Sequence, residues 1–324
     1  MEDLLNIFEI EKLINQLEDK INFLKKLEDE GKLSNPKELE ILELKFNKII
    51  EEINSKIHPF NRVQIARHPK RPVFQDLLDN IFSDFVELKG DRYLADDLAI
   101  TAGLAKIENY PVFVMGHNKG KNTNEKIKRN YGMPNPEGFY KAIRVMKVAN
   151  NFRTPLITII DTPGAYPGDT AEQRGQYIAI AKSISKMFEL DIPVISLVLS
   201  EGGSGGALAI AVANFVLIME NAYYSVISPE GAASILYKDS SKAYLAANNL
   251  KLTSYDLLEL GVADEVIKEP FMGIHRNLNE SYKIIKEKLV EYLKKSLEIS
   301  DLKYHRYQRF RKMGFFDILA DFVT

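Results

Sequence analysis

The chain of 324 residues contains no cysteine. This excludes disulfides, a thiol nucleophile and a cysteine-ligated zinc site within the chain. Neither sign of charge dominates: 43 Lys and Arg stand against 45 Asp and Glu, a formal net charge of -2. Such a balance supplies no global attraction to nucleic acid or to an anionic membrane. No apolar run reaches the length of a membrane span. The first residues, MEDLLNIFEIEKL, are acidic and read as helix, unlike a secretory or transit peptide. A cytoplasmic protein without membrane attachment is therefore expected. Low-complexity segments are also missing. What remains, 45% hydrophobic and 27% charged residues, is ordinary for a globular protein with one large core and an appendage.

Against that background one stretch stands out. Val194 to Ala209 reads VISLVLSEGGSGGALA: a β-branched apolar run, four glycines around Ser204, then a second apolar run from Ala207 to Phe215. Strand, glycine turn and helix in that order aim backbone N–H groups at a ligand. The first N–H groups of a helix lack internal partners and carry partial positive charge, and glycine lets a ligand approach closely. The turn suits an anion, either a phosphate or the oxyanion of an acyl or carboxyl group. It lacks the Gly-Lys-Ser/Thr ending of a P-loop, which argues against nucleotide phosphates. From these residues three readings stay open. One is an oxyanion hole without a nucleophile. Another is a hydrolase elbow, Gly-x-Ser-x-Gly with Ser204 at its centre. The third is glycine used only for close helix–strand packing.

The rest of the chain divides near His58-Pro59. Residues 1–57 read as a helical hairpin, an assembly element: Ile10, Ile14, Leu17, Ile21 and Leu24 form a heptad seam, and Gly31 ends the first helix. Asn35, Pro36 and Glu38 supply a cap, a first-turn proline and a capping-box partner, and Leu42, Phe46, Ile49 and Ile53 continue a second stripe. From residue 58 to 324 the pattern changes to short strands, turns and helices. Strands are expected over 98–107, 112–116, 156–161, 194–200, 215–219 and 224–227, and helices over 136–151, 171–188 and 207–214. Paired strands followed by a helix suggest an α/β spiral of β-β-α units. The end of the chain, from Asn277, reads as charged and aromatic helix.

A second strand, Leu156–Ile160, runs into a Pro/Gly loop, Asp161-Thr-Pro-Gly-Ala-Tyr-Pro-Gly168. Two parallel strands with glycine turns at the same end would place both loops on one rim. Turn geometry alone also accounts for Pro163, Gly164, Pro167 and Gly168. The basic loop Lys119–Arg129 follows a strand, so it faces either an anion or plain solvent. His117 ends that strand and reads as a hydrogen-bonded structural residue. Asp96-Asp97 reads as a capped turn, because no further ligand lies at metal spacing.

Several motifs then occur in one order: ARHPKRP at Ala66–Pro72, GDRYLADD at Gly90–Asp97, GHNKG at Gly116–Gly120, KIKRNYGMPNPEG at Lys126–Gly138, IIDTPGAYPG, EGGSGGALAI, YSVISPEGAASILYK, and HRN at His275–Asn277. Together they resemble the alpha subunit of the carboxyltransferase component of multisubunit acetyl-CoA carboxylase. The likeness is dense from Ala66 to Asn277. It implies a crotonase-like spiral of β-β-α units. It also implies a transferase that is active only with a separate beta subunit, in an alpha2-beta2 heterotetramer. The beta subunit of that family carries the zinc, which agrees with the missing cysteines here. The resemblance further implies partnership with the biotin carboxyl carrier protein and with biotin carboxylase, the ATP-binding part of the complex. Carboxybiotin is then a substrate on the carrier, acetyl-CoA accepts the carboxyl group, and malonyl-CoA leaves for fatty acid synthesis. No cofactor or metal is expected on this chain.

Transferred residue by residue, the family's paired oxyanion donors fall on Gly205 and Gly206. Gly164, Ala165 and Tyr166, with Pro229, Glu230 and Gly231, would line or support the carboxybiotin cleft. Small departures occur: Ala232 stands where many relatives carry cysteine, Asp169-Thr170 follow the YPG turn, and Gln173 replaces a common glutamate. None touches the glycine pair. The rivals are a self-contained crotonase-type acyl-CoA hydratase or decarboxylase, and a serine hydrolase joining Ser204 to Asp256 or Asp264 and His275. A scaffold built on the hairpin, or RNA binding through the basic loop, leaves the glycine turns unexplained.

Overall fold

The computed structural model describes residues 7–32 and 36–313. In chain order the elements are α1 (Ile7–Asp29), α2 (Pro36–Ser55), α3 (Pro59–Ala66), α4 (Phe74–Ile81), β1 (Ser83–Glu87), β2 (Ile100–Ile107), β3 (Tyr110–His117), α5 (Thr123–Lys128), α6 (Pro136–Asn151), β4 (Leu156–Thr162), α7 (Asp169–Gln173), α8 (Gln176–Glu189), β5 (Val194–Gly203) and α9 (Ser204–Leu208). There follow β6 (Phe215–Met219), β7 (Tyr223–Ser225), α10 (Pro229–Tyr237), α11 (Ala243–Asn249), α12 (Ser254–Glu259), β8 (Glu265–Ile267), α13 (Leu278–Leu297) and α14 (Leu302–Lys312).

One mixed sheet organises the body in the order β1-β2-β3-β4-β5-β6-β8, with β7 also paired to β5. The first two pairings are antiparallel and the rest parallel. A two-residue turn closes β2–β3, and Glu108 adopts φ +50, as the tight hairpin requires. β4 and β5 are buried along their whole length. Their mostly apolar character, with Thr158 and Ser196 bonded to each other at 2.6 Å, is that of parallel strands covered on both faces. Near their C-terminal ends the register slips: Ile160 faces Val198, whereas Thr162 faces Gly202. The extra residues on β5 swing Ser200 and Glu201 out of the regular ladder, and β7 pairs with Glu201–Gly203 beyond the slip.

Two expected helices differ in their bounds. The 171–188 segment is two helices, because Gly175 takes φ +78 between α7 and α8. The helix after the glycine turn begins at Ser204 instead of Ala207 and spans five residues, ending at Leu208. So short a helix has little macrodipole, and any anion there would depend on individual N–H groups.

The hairpin of α1 and α2 docks through one end. Ile7 packs with Ile65 and Met272, and Arg276 bonds Asn15 and Glu18. Glu11 meets the Nε2 atoms of His275 and His68 at 2.8 and 3.2 Å, with the two rings stacked 3.9 Å apart. The Lys70 N–H donates to His68 Nδ1, so Nε2 carries the hydrogen that faces Glu11. Along the seam Ile14 and Ile21 are buried, but Ile49 of the second stripe is exposed. Leu13, Phe23 and Leu44 are each about 60% exposed, apolar surface that the pair alone does not cover. The cap expected at Asn35 lies outside the described residues, as does the chain from Gly314. At the other end of the body, Arg306 of α14 is fully buried and donates to the carbonyls of Met187, Leu190 and Ile192. Burial pulls its pKa down to about 10.

Candidate active site

The two glycine turns share one rim, at the C-terminal ends of the parallel strands β4 and β5, and they touch. A Cβ on Gly206 would lie 2.3 Å from the Ala165 nitrogen and 2.4 Å from the Gly164 carbonyl carbon. A Cβ on Gly203 would lie 2.0 Å from the Pro163 oxygen. Neither position admits a side chain without moving the facing turn. Gly205 is looser, since its Cβ would meet Ile180 Cγ2 at 3.2 Å. Thr162 fixes the facing turn: its hydroxyl donates to Gly164 O at 2.7 Å and accepts from Gly164 N–H at 3.1 Å. Gly206 is buried, Gly205 half-buried and Ser204 exposed. Among the described residues no side chain caps the start of α9, and the leading N–H groups of a helix have no partner within it.

Behind the turn sits His117. Its Nε2 donates to Gly206 O at 3.2 Å, and its Nδ1 accepts from Asp161 N–H at 3.4 Å. Complete burial pulls its pKa down to about 3. The ring is neutral with both nitrogens engaged, so it holds the turns together and has no free nitrogen to act as a base.

Next to the turns lies a charged cluster that the linear sequence does not reveal. Lys119 reaches Asp161 Oδ1 at 2.8 Å and Glu201 Oε1 at 2.5 Å. Arg67 Nε and Tyr223 OH donate to Glu201 Oε2 at 3.0 and 2.7 Å. Burial alone would raise Glu201, but Lys119 and Arg67 outweigh it and hold the carboxyl at about 2. Lys119 is likewise pulled down by burial and held above its ordinary value by the two carboxylates. A little further on, Arg71 forks onto Glu269 at 2.5 and 2.7 Å and bonds Ser200 and Leu199 O. Lys119, Asp161, Glu201, Arg67 and Arg71 line a cleft of about 590 Å³ together with Lys70, Lys121, Lys126, Tyr131 and Pro163.

The basic loop is thus split. Lys119 is an interior ion-pair partner, Lys121 pairs with Asp76 at 2.5 Å and Arg129 donates to Leu98 O. Lys126 lines the cleft. Glu230 bonds Arg67 at 2.7 Å, which puts the Pro229–Gly231 segment across that arginine from Glu201. Tyr166 donates its N–H to Pro134 O and accepts from Gln176, bonds that anchor the loop to the body. Asp97 accepts from Ala99 and Asn135 N–H at 2.7 and 2.6 Å, a capped turn.

The hydrolase constellation does not assemble. Ser204 has the strained backbone of an elbow, φ +53. However, His275 bonds Glu11, Asp256 caps α12 through Thr253, and Asp264 bonds Val216 N–H and Arg309. None of them hydrogen-bonds Ser204.

Comparison with known proteins follows the same line. Among solved structures, the transcarboxylase 12S multienzyme core superposes with a TM-score of 0.57 at 20% identity, over 69% of this chain and 41% of that one. A Pseudomonas malonate decarboxylase heterotetramer gives 0.56 at 16% identity, over 68% and 91%. The fold is therefore the crotonase-type fold used by carboxyltransferases, an α/β spiral of β-β-α units. At the sequence level, residues 7–314 match the family described as acetyl co-enzyme A carboxylase carboxyltransferase-like. Acetyl-coenzyme A carboxylase carboxyl transferase subunit alpha of Oceanobacillus iheyensis is 47% identical over 96% of this chain and 98% of its own length. The same subunit of Geobacter metallireducens is 49% identical over 95% and 97%. The chain belongs to this family of carboxyltransferase alpha subunits, and it is an enzyme subunit of the transferase class. An alpha subunit implies a complex with a beta subunit. Among the described residues no helix is long and apolar enough to cross a membrane.

Proposed function

We propose that this chain forms the carboxybiotin half of the active site, and that the N–H groups of Gly205 and Gly206 receive the biotin ureido oxygen. The observation that carries this reading is the contact of the two turns, so tight at Gly203 and Gly206 that only backbone fits. Loss of carbon dioxide from N-carboxybiotin leaves negative charge on the ureido oxygen. Fixed N–H donors stabilise that charge where it develops, each worth roughly 2.7–4 kcal/mol of transition-state energy. Gly164, Ala165 and Tyr166 support the donors from the facing turn, while Pro229, Glu230 and Gly231 support them through Arg67. Proton removal from the acetyl methyl then falls to the biotin ureido nitrogen, because His117, Asp161 and Glu201 are all committed to internal bonds.

On this reading the beta subunit supplies acetyl-CoA and the only zinc, in an alpha2-beta2 assembly that receives the biotin carboxyl carrier protein in the cytoplasm. The exposed apolar residues of the hairpin at 1–57 serve that assembly, distinct from the catalytic body at 58–324. The test is malonyl-CoA formation from carboxylated carrier. Activity is expected from the chain mixed with its beta subunit and none from either alone. Turnover of an acyl-CoA by this chain alone would favour a self-contained crotonase-type enzyme instead.

A further inference from the structure

Gly205 also opens on a second, apolar pocket of about 320 Å³. Leu208, Val226, Leu257 and Phe310 wall it, and Tyr224 and Arg309 are the large polar side chains on its lining. The side chain of Arg309 is only 9% exposed. Its Nε and Nη2 are used, on Asp264 at 3.2 and 3.0 Å and on Val262 O at 2.6 Å. Among the described residues its Nη1 is buried with no partner. A guanidinium stays charged, so a buried N–H pair without an acceptor is an unmet demand for an anion or carbonyl. Burial pushes the Tyr224 phenol up, which keeps it a donor. Apolar walls with a few convergent donors describe a site for a compact, mostly apolar ligand with one anionic group.

We propose that this pocket seats the fused-ring head of carboxybiotin, with Arg309 and Tyr224 donating to its N-carboxylate; this rests on the reading of Gly205 given above. The ring is the apolar part and the carboxylate the anion. An arginine on the carboxylate holds that group equally in bound substrate and as the C–N bond begins to break, whereas the charge that grows on the ureido oxygen falls to the glycine donors. Arg309 therefore governs KM, and the glycine donors govern kcat.

The experiment uses the complete alpha–beta complex with carboxylated carrier protein. Arg309→Met is expected to raise the KM for carboxylated carrier by roughly tenfold or more, and Tyr224→Phe by about threefold, the ranges for a charged and a neutral hydrogen bond. In both variants kcat and the KM for acetyl-CoA should stay near wild type, and Arg309→Lys should recover part of the loss. As a readout besides activity, carboxylated carrier should shift the methyl resonances of Leu208, Val226 and Leu257. Tyr224→Phe removes one hydroxyl and keeps the test valid if Arg309→Met fails to fold. Unchanged KM in both variants with unmoved methyls overturns the pocket assignment. If removal of the Gly205 N–H still lowers kcat in that case, the glycine reading stands without it; if not, both fall.

Discussion

The rim at the ends of β4 and β5 is built in two opposite ways within a few residues. From Gly203 to Gly206 the chain is stripped of side chains, and backbone lies against the backbone of Pro163–Ala165. At Glu201, two residues before Gly203 on β5, side chains do everything: Lys119, Arg67 and Tyr223 converge on one carboxylate in the interior. On the proposed reading the difference is a division of labour. The stripped part would offer N–H donors at close range. The charged part fixes the strand ends that carry those donors, since a buried ion pair with satisfied hydrogen bonds tolerates little displacement.

The comparison breaks most visibly at Lys119. Lys119→Met leaves Asp161 and Glu201 facing each other in the interior, and should cost about 3–5 kcal/mol of stability at neutral pH. The pH dependence should change as well. In the wild type the folded Glu201 has a depressed pKa, so its contribution is complete above the unfolded value of about 4.3 and fades as pH falls toward 2. Burial already raises Asp161 in the wild type, against the pull of Lys119; without the lysine it rises further, and a carboxylate with a raised pKa gains stability as it protonates, so melting temperature should rise more steeply from pH 8 to pH 5 than in the wild type. Thermal melts across that range check this, and a flat profile would show that the two carboxylates are not coupled.

On the stripped side, Gly206→Ala should displace the Gly164–Ala165 turn, lose about 1–3 kcal/mol of stability by overpacking, and lower kcat by roughly 10²-fold or more. Gly205→Ala, with only Ile180 nearby, should melt close to the wild type. Equal melting losses in the two variants would undo the contrast drawn between the positions. Ser204→Ala should keep activity within about tenfold, near 1.4 kcal/mol, because no base reaches the hydroxyl; labelling of Ser204 by a fluorophosphonate would contradict that. The smallest effect is expected at the far end of the basic loop, where Lys126 is half-buried and Lys128 exposed. Lys126→Gln with Lys128→Gln should raise the KM for carrier protein only a few fold and flatten its salt dependence, as for charges screened by solvent. An unchanged salt response would make the loop a plain solvated surface.

How far the sequence alone reaches can be seen from particular elements. The strand over 215–219 and the helix over 136–151 were legible to the residue, since each is an apolar pattern with clear turn or proline boundaries. The Val/Ile/Leu-rich runs of β4 and β5 marked parallel strands. β1 was not legible: SDFVE is a mostly exposed edge strand with two adjacent apolar residues and no alternation. β8, three residues long, gives no periodic signal. At the site, the glycine turns could be read because they are local. The Arg67–Glu201–Lys119 cluster joins residues as far as 134 positions apart, and no spacing rule finds such pairs. Lys119 looked like one member of a solvated run. The ARHPKRP and GHNKG motifs, which carry Arg67 and Lys119, were the one hint that those cations are more than surface charge.

The central claim is that backbone N–H donors in the glycine turn stabilise the biotin ureido oxygen. Exchange of Gly205 for glycolic acid tests it most directly, because an ester oxygen replaces the N–H while the shape of the turn is kept. Measured as malonyl-CoA formation by the intact alpha–beta complex, kcat should fall roughly 10²–10³-fold, with melting temperature, complex mass and acetyl-CoA binding unchanged. A complex that assembles normally and turns over near the wild-type rate would contradict the claim.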